Sequence, residues 1–123
     1  MEESKEIGKL KACLIGKQIK QGTSSLKQFA IELTEEPAIL LEADGDASCP
    51  TVSISAPPKS ALPKIEEAVC LVDWSWLGGA RIVNLTINDT RVILDLGELG
   101  PLTVTAAAWR GAPFLSFLPY KPQ

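Results

Sequence analysis

The sequence predicts a mainly β protein, α+β by its helix content, made of two related four-stranded halves with pseudo-twofold symmetry. Two observations support this prediction. The phrase LIGKQI at 14–19 returns as LGGARI at 77–82, which places the two copies 63 positions apart. Both phrases are followed by short runs in which every second residue is apolar, a period typical of strands. We expect the halves to close over one core as a sandwich or a barrel.

The similarity extends past the opening phrase. At the same offset five pairs are identical: Leu14 and Leu77, Gly16 and Gly79, Ile19 and Ile82, Thr23 and Thr86, Leu33 and Leu96. With one extra residue allowed in the second copy, Pro37 aligns with Pro101. The repeats then cover about 12–59 and 75–121 of a single domain, 1–123. Such self-similarity indicates units that bury their apolar faces only together.

Each copy contains four predicted strands. In the second copy the strands VNLTI and VILDL flank the polar turn at 88–90, and GELGP at 97–101 makes the next turn before LTVTAA and FLSFL. The first copy reads IKQGT, FAIEL, AILLEA and TVSIS at the corresponding places. In each copy a glycine, Gly16 or Gly79, stands three residues before the isoleucine that opens the first strand. Glycine there predicts either a positive φ or a close approach of backbone.

A helix is predicted between the repeats, over about 60–72. Ser60 suits its N-cap, and Glu66 and Glu67 suit its N-terminal half. Four apolar residues fall at helical spacing: Leu62, Ile65, Val69 and Val72. Residues 4–11 are expected to form a shorter, frayed helical turn ahead of the first repeat.

The bulk properties restrict the class of partner. The net charge of −3 and the pI near 4.9 argue against nucleic acid, whose phosphates need clustered Lys and Arg. No apolar run approaches the roughly 20 residues that span a bilayer, so no membrane is expected. The charged N-terminus lacks the apolar segment of a signal peptide. We therefore expect a cytoplasmic protein whose three cysteines are reduced.

The sequence favours a protein that is not an enzyme, although it leaves activity open. The chain contains no histidine. This excludes Ser-His-Asp and Cys-His nucleophile pairs as well as imidazole proton shuttles. Acid–base chemistry would require distant carboxylates to converge, such as Glu32 and its counterpart Asp95. No catalytic residue and no cofactor are predicted.

One local cluster of oxygen ligands occurs in EADGDAS at 42–48. Glu42, Asp44 and Asp46 alternate there, and Gly45 permits a bend. Calcium prefers several such oxygens on a flexible loop. The segment nevertheless lacks the spacing of a D-x-[DN]-x-[DN]-G calcium loop. A metal site and a polar surface loop are the two interpretations.

Aromatic side chains are the candidate contacts for a ligand or partner, because Trp and Tyr are enriched at binding hot spots. The candidates are Trp74, Trp76, Trp109, Phe114, Phe117 and Tyr120. The competing interpretation is that these side chains fill the core where the helix meets the sheet. The sequence alone does not decide between them.

Together these observations favour a non-catalytic cytoplasmic module for protein interaction or oligomerisation. The partner is expected to be another protein or a second copy in a homodimer. The C-terminal strand is so apolar that it must lie inside a sheet or against another subunit. The alternative is a binding protein for a small apolar ligand, held in a β-barrel cavity near the tryptophans.

Overall fold

A computed structural model of the chain describes residues 4–25, 27–46, 48–62 and 74–118, apart from the side chains of residues 4–7 and 109. These residues form one α-helix and eight strands, so the mainly β prediction is confirmed. The strands make two separate four-stranded sheets, each in sequence order. All neighbouring strands are antiparallel. The sheets do not join into a closed barrel, so the arrangement is the sandwich of the two predicted alternatives.

The strands lie where the alternation predicts them. The helix α1 spans Ser4–Leu14. The first sheet contains β1 (Ile19–Ser24), β2 (Gln28–Leu33), β3 (Ile39–Asp46) and β4 (Cys49–Ser55). The second sheet contains β5 (Asn84–Ile87), β6 (Arg91–Asp95), β7 (Pro101–Trp109) and β8 (Ala112–Leu118).

The core lies between the two sheets, where β3 packs on β8 and β4 on β7. Alternate residues of each strand supply it, because successive strand side chains point to opposite faces. Phe29 and Ile31 of β2 are fully buried, as are Val92 and Leu94 of β6. Burial of a large apolar side chain stabilises the fold by about 1.5–3 kcal/mol. These side chains therefore hold the two sheets face to face.

The pairing register of the second sheet repeats that of the first. Phe29 pairs with Leu41, and Val92 pairs with Val104. Both partners in the second pair come 63 positions after those in the first. The same displacement relates β1–β2 to β5–β6 and β3–β4 to β7–β8. The correspondence thus runs from the first hairpin of each sheet to its last.

This register corrects the alignment of the two copies. At a constant offset of 63, the residue equivalent to Pro101 is Ala38, and Pro37 is equivalent to Gly100. The extra residue predicted in the second copy is therefore wrong. Prolines occupy several positions around a turn, so matching one proline to another is weak evidence of register. Strand pairing is much stronger evidence of register, since a shift of one residue moves every side chain of the strand to the other face of the sheet.

The two halves exchange main-chain hydrogen bonds just before their first strands. The Gly16 amide donates to the Ile82 carbonyl at 2.7 Å, and the Gly79 amide donates to the Ile19 carbonyl at 2.8 Å. A second reciprocal pair joins Ile19 N to Ala80 O at 2.7 Å and Ile82 N to Lys17 O at 2.9 Å. Each bond thus has a counterpart in which the roles of the two halves are reversed.

A pair of side chains continues this exchange. Gln18 and Arg81 form an isolated antiparallel bridge. Gln18 Nε2 donates to the Gly79 carbonyl at 3.1 Å, while Arg81 Nη1 donates to the Gly16 carbonyl at 2.7 Å. Gln18 and Arg81 are themselves 63 positions apart. The local pseudo-twofold axis therefore passes between them.

The segment that leads into each half covers the first strand of the other half. A 3-10 turn at Ser75–Leu77, just before the second half, packs on β1. The helix α1, before the first half, contacts β5. Both β1 and β5 are outermost strands of their sheets. Each is thus contacted by a segment of the other half as well as by its neighbour in the sheet.

The helices differ from the prediction. The N-terminal helix is longer than the turn expected at 4–11. The predicted linking helix at 60–72 falls mostly on residues 63–73, outside the described residues, and the part described contains a 3-10 turn at Lys59–Ala61. Within the described ranges no helix has the length and apolar character needed to cross a membrane.

Alanine variants of Gly16 and Gly79 test whether the hydrogen bonds between the two halves depend on the backbone conformation of these glycines. Their φ angles are +92° and +90°, and no atom lies within 4 Å of a Cβ built at either position. Backbone conformation, and not close approach, therefore requires glycine. We expect Gly16→Ala and Gly79→Ala each to lower the free energy of unfolding by about 1–2 kcal/mol, measured by urea denaturation.

The control for these variants is Gly8→Ala in α1, where a Cβ also meets no atom within 4 Å. Alanine favours a helix over glycine, so this variant should gain up to about 1 kcal/mol. If all three variants changed the free energy of unfolding equally, Gly16 and Gly79 would have no special backbone requirement.

Candidate functional site

Two of the candidate aromatic residues lie in the core. Trp74 is 4% exposed and Phe117 is 9% exposed. The Trp74 ring stacks on Phe29 with centroids 4.4 Å apart, and Phe117 meets it edge-on at 5.0 Å. Trp74 Nε1 donates to Ser24 Oγ at 2.8 Å. These contacts are those of core side chains, which is the second interpretation drawn from the sequence.

A glycine on β1 makes room for this aromatic group. A Cβ at Gly22 would lie 3.2 Å from Phe29 Cε1 and 3.4 Å from Trp74 Cβ. A side chain at this position would therefore press against the Phe29 ring. The indole is held between β1 and β8, with its polar nitrogen paired.

Of the remaining aromatic candidates, one lies beside this pair, one lies on β8, and two fall at least partly outside the described residues. Trp76 is half-buried against the core, with its ring centroid 6.2 Å from that of Trp74. Phe114 is half-buried on β8 and pairs with Ala107. The Trp109 side chain and the whole of Tyr120 fall outside the described residues. The structure thus brings together Trp74, Trp76 and Phe117.

The acidic segment lies on β3 and the turn after it. Asp46 Oδ1 accepts hydrogen bonds from Ser48 N, Ser48 Oγ and Cys49 N at 2.8–3.0 Å. The Ser48 hydroxyl, together with the two amides, lowers the pKa of the Asp46 carboxyl. Glu42 Oε2 accepts from Gln28 Nε2 at 3.0 Å. In the part of the chain that is described, no three His, Cys, Asp or Glu side chains are grouped so that they could hold a metal ion.

The acids considered for catalysis belong to different sheets. Glu32 accepts a hydrogen bond from Gln21 on the outer face of the first sheet. Asp95 lies on the outer face of the second sheet and accepts from the Gly97 amide at 3.1 Å. The core separates the two faces, so this pair does not converge.

The outer faces of the two sheets have different chemistry at equivalent positions. The first carries three acids, Glu32, Glu42 and Asp44, and its two glutamates are held by glutamines. The equivalents 63 positions later are Asp95, Thr105 and Ala107. Two of these three acids therefore have no charged equivalent on the second face, where Arg91 in turn replaces the neutral Gln28.

The central rows of the two outer faces each contain two apolar residues, at different positions. Cross-strand pairing aligns one residue from every strand into a row: Thr86, Ile93, Thr103 and Leu118. The equivalent row on the first sheet is Thr23, Ala30, Leu40 and Ser55. Leu118 is 69% exposed. The row Thr86, Ile93, Thr103 and Leu118 has Arg91 and Thr105 on one side and Asp95 on the other. We call these residues together the second outer face.

Sequence reasoning missed these residues, although a signal was present. The apolar C-terminal strand was noted as a whole, without separating its two faces. Leu115 and Phe117 are buried, so Ser116 and Leu118 must point outward. A comparison of outward positions at the offset of 63 would then have set Leu118 against Ser55.

The buried indole provides a stability test. Replacement of Ser24 by alanine removes the acceptor of the Trp74 N–H from a dry site. We expect Ser24→Ala to lower the free energy of unfolding by about 1–3 kcal/mol, measured by urea denaturation with tryptophan emission as the probe. Ser53→Ala, on an exposed part of β4, is the matched control and should change stability little. Equal losses in both variants would contradict the buried hydrogen bond.

Asp46 provides a pH test. Folding lowers its pKa, so its stabilisation is present above the pKa of the unfolded chain and is lost as pH falls through the lower folded value. Asp46→Asn should therefore be less stable than the parent at neutral pH and equal to it in strong acid. Asp44→Asn, which removes an exposed carboxylate from the same strand, is the control. A deficit of Asp46→Asn that is unchanged in acid would contradict the ionised cap.

Comparisons of the chain with protein-family models, with curated proteins and with solved structures found no match.

Proposed function

We propose that this chain is a small cytoplasmic, non-catalytic protein-interaction module, and that it docks through the second outer face. One observation carries the proposal: at equivalent positions of the two sheets, water-facing acids on the first become Thr105 and Ala107 on the second, and Ser55 becomes Leu118. The fold does not require this change, because the first sheet forms the same ladder with a charged outer face.

The composition of the second outer face suits a protein partner. Interfaces are depleted in charge at their centre and polar at their rim. Here the central row contains Ile93 and Leu118, while the charged Arg91 and Asp95 stand outside it. Threonines fill the positions between and combine a methyl group with a hydroxyl group. Such a surface loses little when it is desolvated against another protein.

We also propose that the two halves are copies of one unit. The constant register offset and the reciprocal bonds of Gly16 and Gly79 support this. In a duplicated chain, one copy keeps a solvated outer face while the other is free to change. The second outer face is then the changed copy.

The alternative of an apolar ligand near the tryptophans receives less support. Trp74 contacts Phe29 and Phe117, so these rings already satisfy one another. Phe114 has the parity of the outer face and belongs to the sheet that we assign to docking.

Radical footprinting tests the docking face and does not require the partner to be identified first. Leu118 and Leu99 are 69% and 50% exposed, so both should be oxidised readily in dilute purified protein. We expect Leu118 to be protected in concentrated extract of the cells that make the protein, because a partner covers it there. Leu99, in the turn between β6 and β7, is the internal control and should react equally in both samples. Unchanged oxidation of Leu118 in extract would refute the proposal.

A further inference from the structure

We infer that the partner on the second outer face is a second copy of this chain, related by a twofold axis that runs along the row Thr86, Ile93, Thr103 and Leu118. This inference rests on the proposed function and names its partner. It follows from the order of outward side chains on β6. That order is Arg91, Ile93 and Asp95, so a positive charge, an apolar residue and a negative charge follow one another.

Within one chain Arg91 and Asp95 are too far apart to pair. Four residues of a strand separate their backbones by about 13 Å. Both residues are exposed, and among the described residues neither is found in an ion pair. Asp95 uses Oδ1 for the Gly97 amide, which leaves its second oxygen available to a guanidinium. The two charges are thus placed for a partner that presents the opposite order.

A second copy presents that order. When two such faces meet around an axis along the central row, the direction of β6 is reversed across the interface. Arg91 of each copy then faces Asp95 of the other, and Ile93 faces Ile93. Sheets packed face to face lie about 10 Å apart, a gap that an arginine and an aspartate side chain span together. The pattern is therefore self-complementary.

The same charges disfavour a twofold axis that lies along β6. Such an axis would put Arg91 against Arg91 and Asp95 against Asp95. Facing like charges are unfavourable and suppress wrong registers. The order on β6 thus favours the axis along the central row over an axis along β6. The equivalent strand of the first sheet has Gln28, Ala30 and Glu32 at these positions, which offers no such complementarity.

The size of the face sets the expected strength of the dimer. Four strands about 4.8 Å apart and three outward rows about 6.7 Å apart cover on the order of 400 Å² of flat sheet per copy. That places the contact among small, transient interfaces. The dimer should accordingly form at micromolar or higher concentrations, and measurements must extend that far.

Sedimentation of the full chain over a wide concentration range tests the inference. The parent should shift with concentration from 13.2 kDa toward twice that mass. Arg91→Asp and Asp95→Arg should each weaken the dimer at least about tenfold, because each places like charges in contact twice. The double variant Arg91→Asp with Asp95→Arg restores both pairs in reversed order and should return to within about threefold of the parent.

Two controls separate the interface from folding and from net charge. Lys9→Asp, on exposed α1, changes the charge as Arg91→Asp does and should leave the dimer unaffected. Leu118→Lys should abolish the dimer, whereas Ser55→Lys at the equivalent place on the first sheet should not. Thermal melts of dilute samples show whether each variant is folded.

The outcomes distinguish this inference from the proposed function. A parent that remains monomeric while Leu118 is protected in extract overturns the second copy as partner and leaves the docking face standing. A monomer with no protection in extract overturns both. A dimer that is indifferent to Arg91→Asp, or is not restored in the double variant, overturns the axis along the central row.

Discussion

The reciprocal backbone exchange at Gly16 and Gly79 is the constraint on which the rest of the fold depends. Each glycine turns the chain with a positive φ, and its amide then bonds to the carbonyl of an isoleucine, Ile19 or Ile82, at or just before the first strand of the other half. Neither half completes this junction alone, because each of these reciprocal bonds has its donor in one half and its acceptor in the other. The junction fixes where both sheets begin. It also places α1 and the Ser75–Leu77 turn over the outermost strands, so the two sheets share one core.

Because the junction determines the register, the difference between the outer faces has meaning. Two sheets with one ladder geometry and one kind of core face have no structural reason to differ on the side that meets water. They differ where Ser55 is replaced by Leu118 and Glu42 by Thr105. These differences are the basis on which we propose that the second outer face binds a partner.

Much of this fold was predictable from the sequence, and the residues show why the rest was not. Alternating apolar residues located the strands, since a half-buried strand has a period of two. Trp74 belongs to no strand, so no periodicity could say that it stacks on Phe29. Phe117 was different, because it shares the parity of the buried Leu115, a pattern that indicates a core residue. Pro37 misled the alignment because turn residues constrain register less than paired strands do.

A sandwich with an adhesive outer face on both sheets would bind a neighbour on each side, and such contacts continue into open-ended stacks. If the two halves had to stay identical in sequence, such stacking would be unavoidable, because any apolar substitution on one outer face would occur on the other as well. Once the halves are separate segments of one chain, their outer faces change independently. Glu32, Glu42 and Asp44 give the first face its charge, while the row through Ile93 and Leu118 belongs to the face that we propose for docking. In the dimer that we infer, pairing about a twofold axis uses this one face, so assembly would stop at two copies.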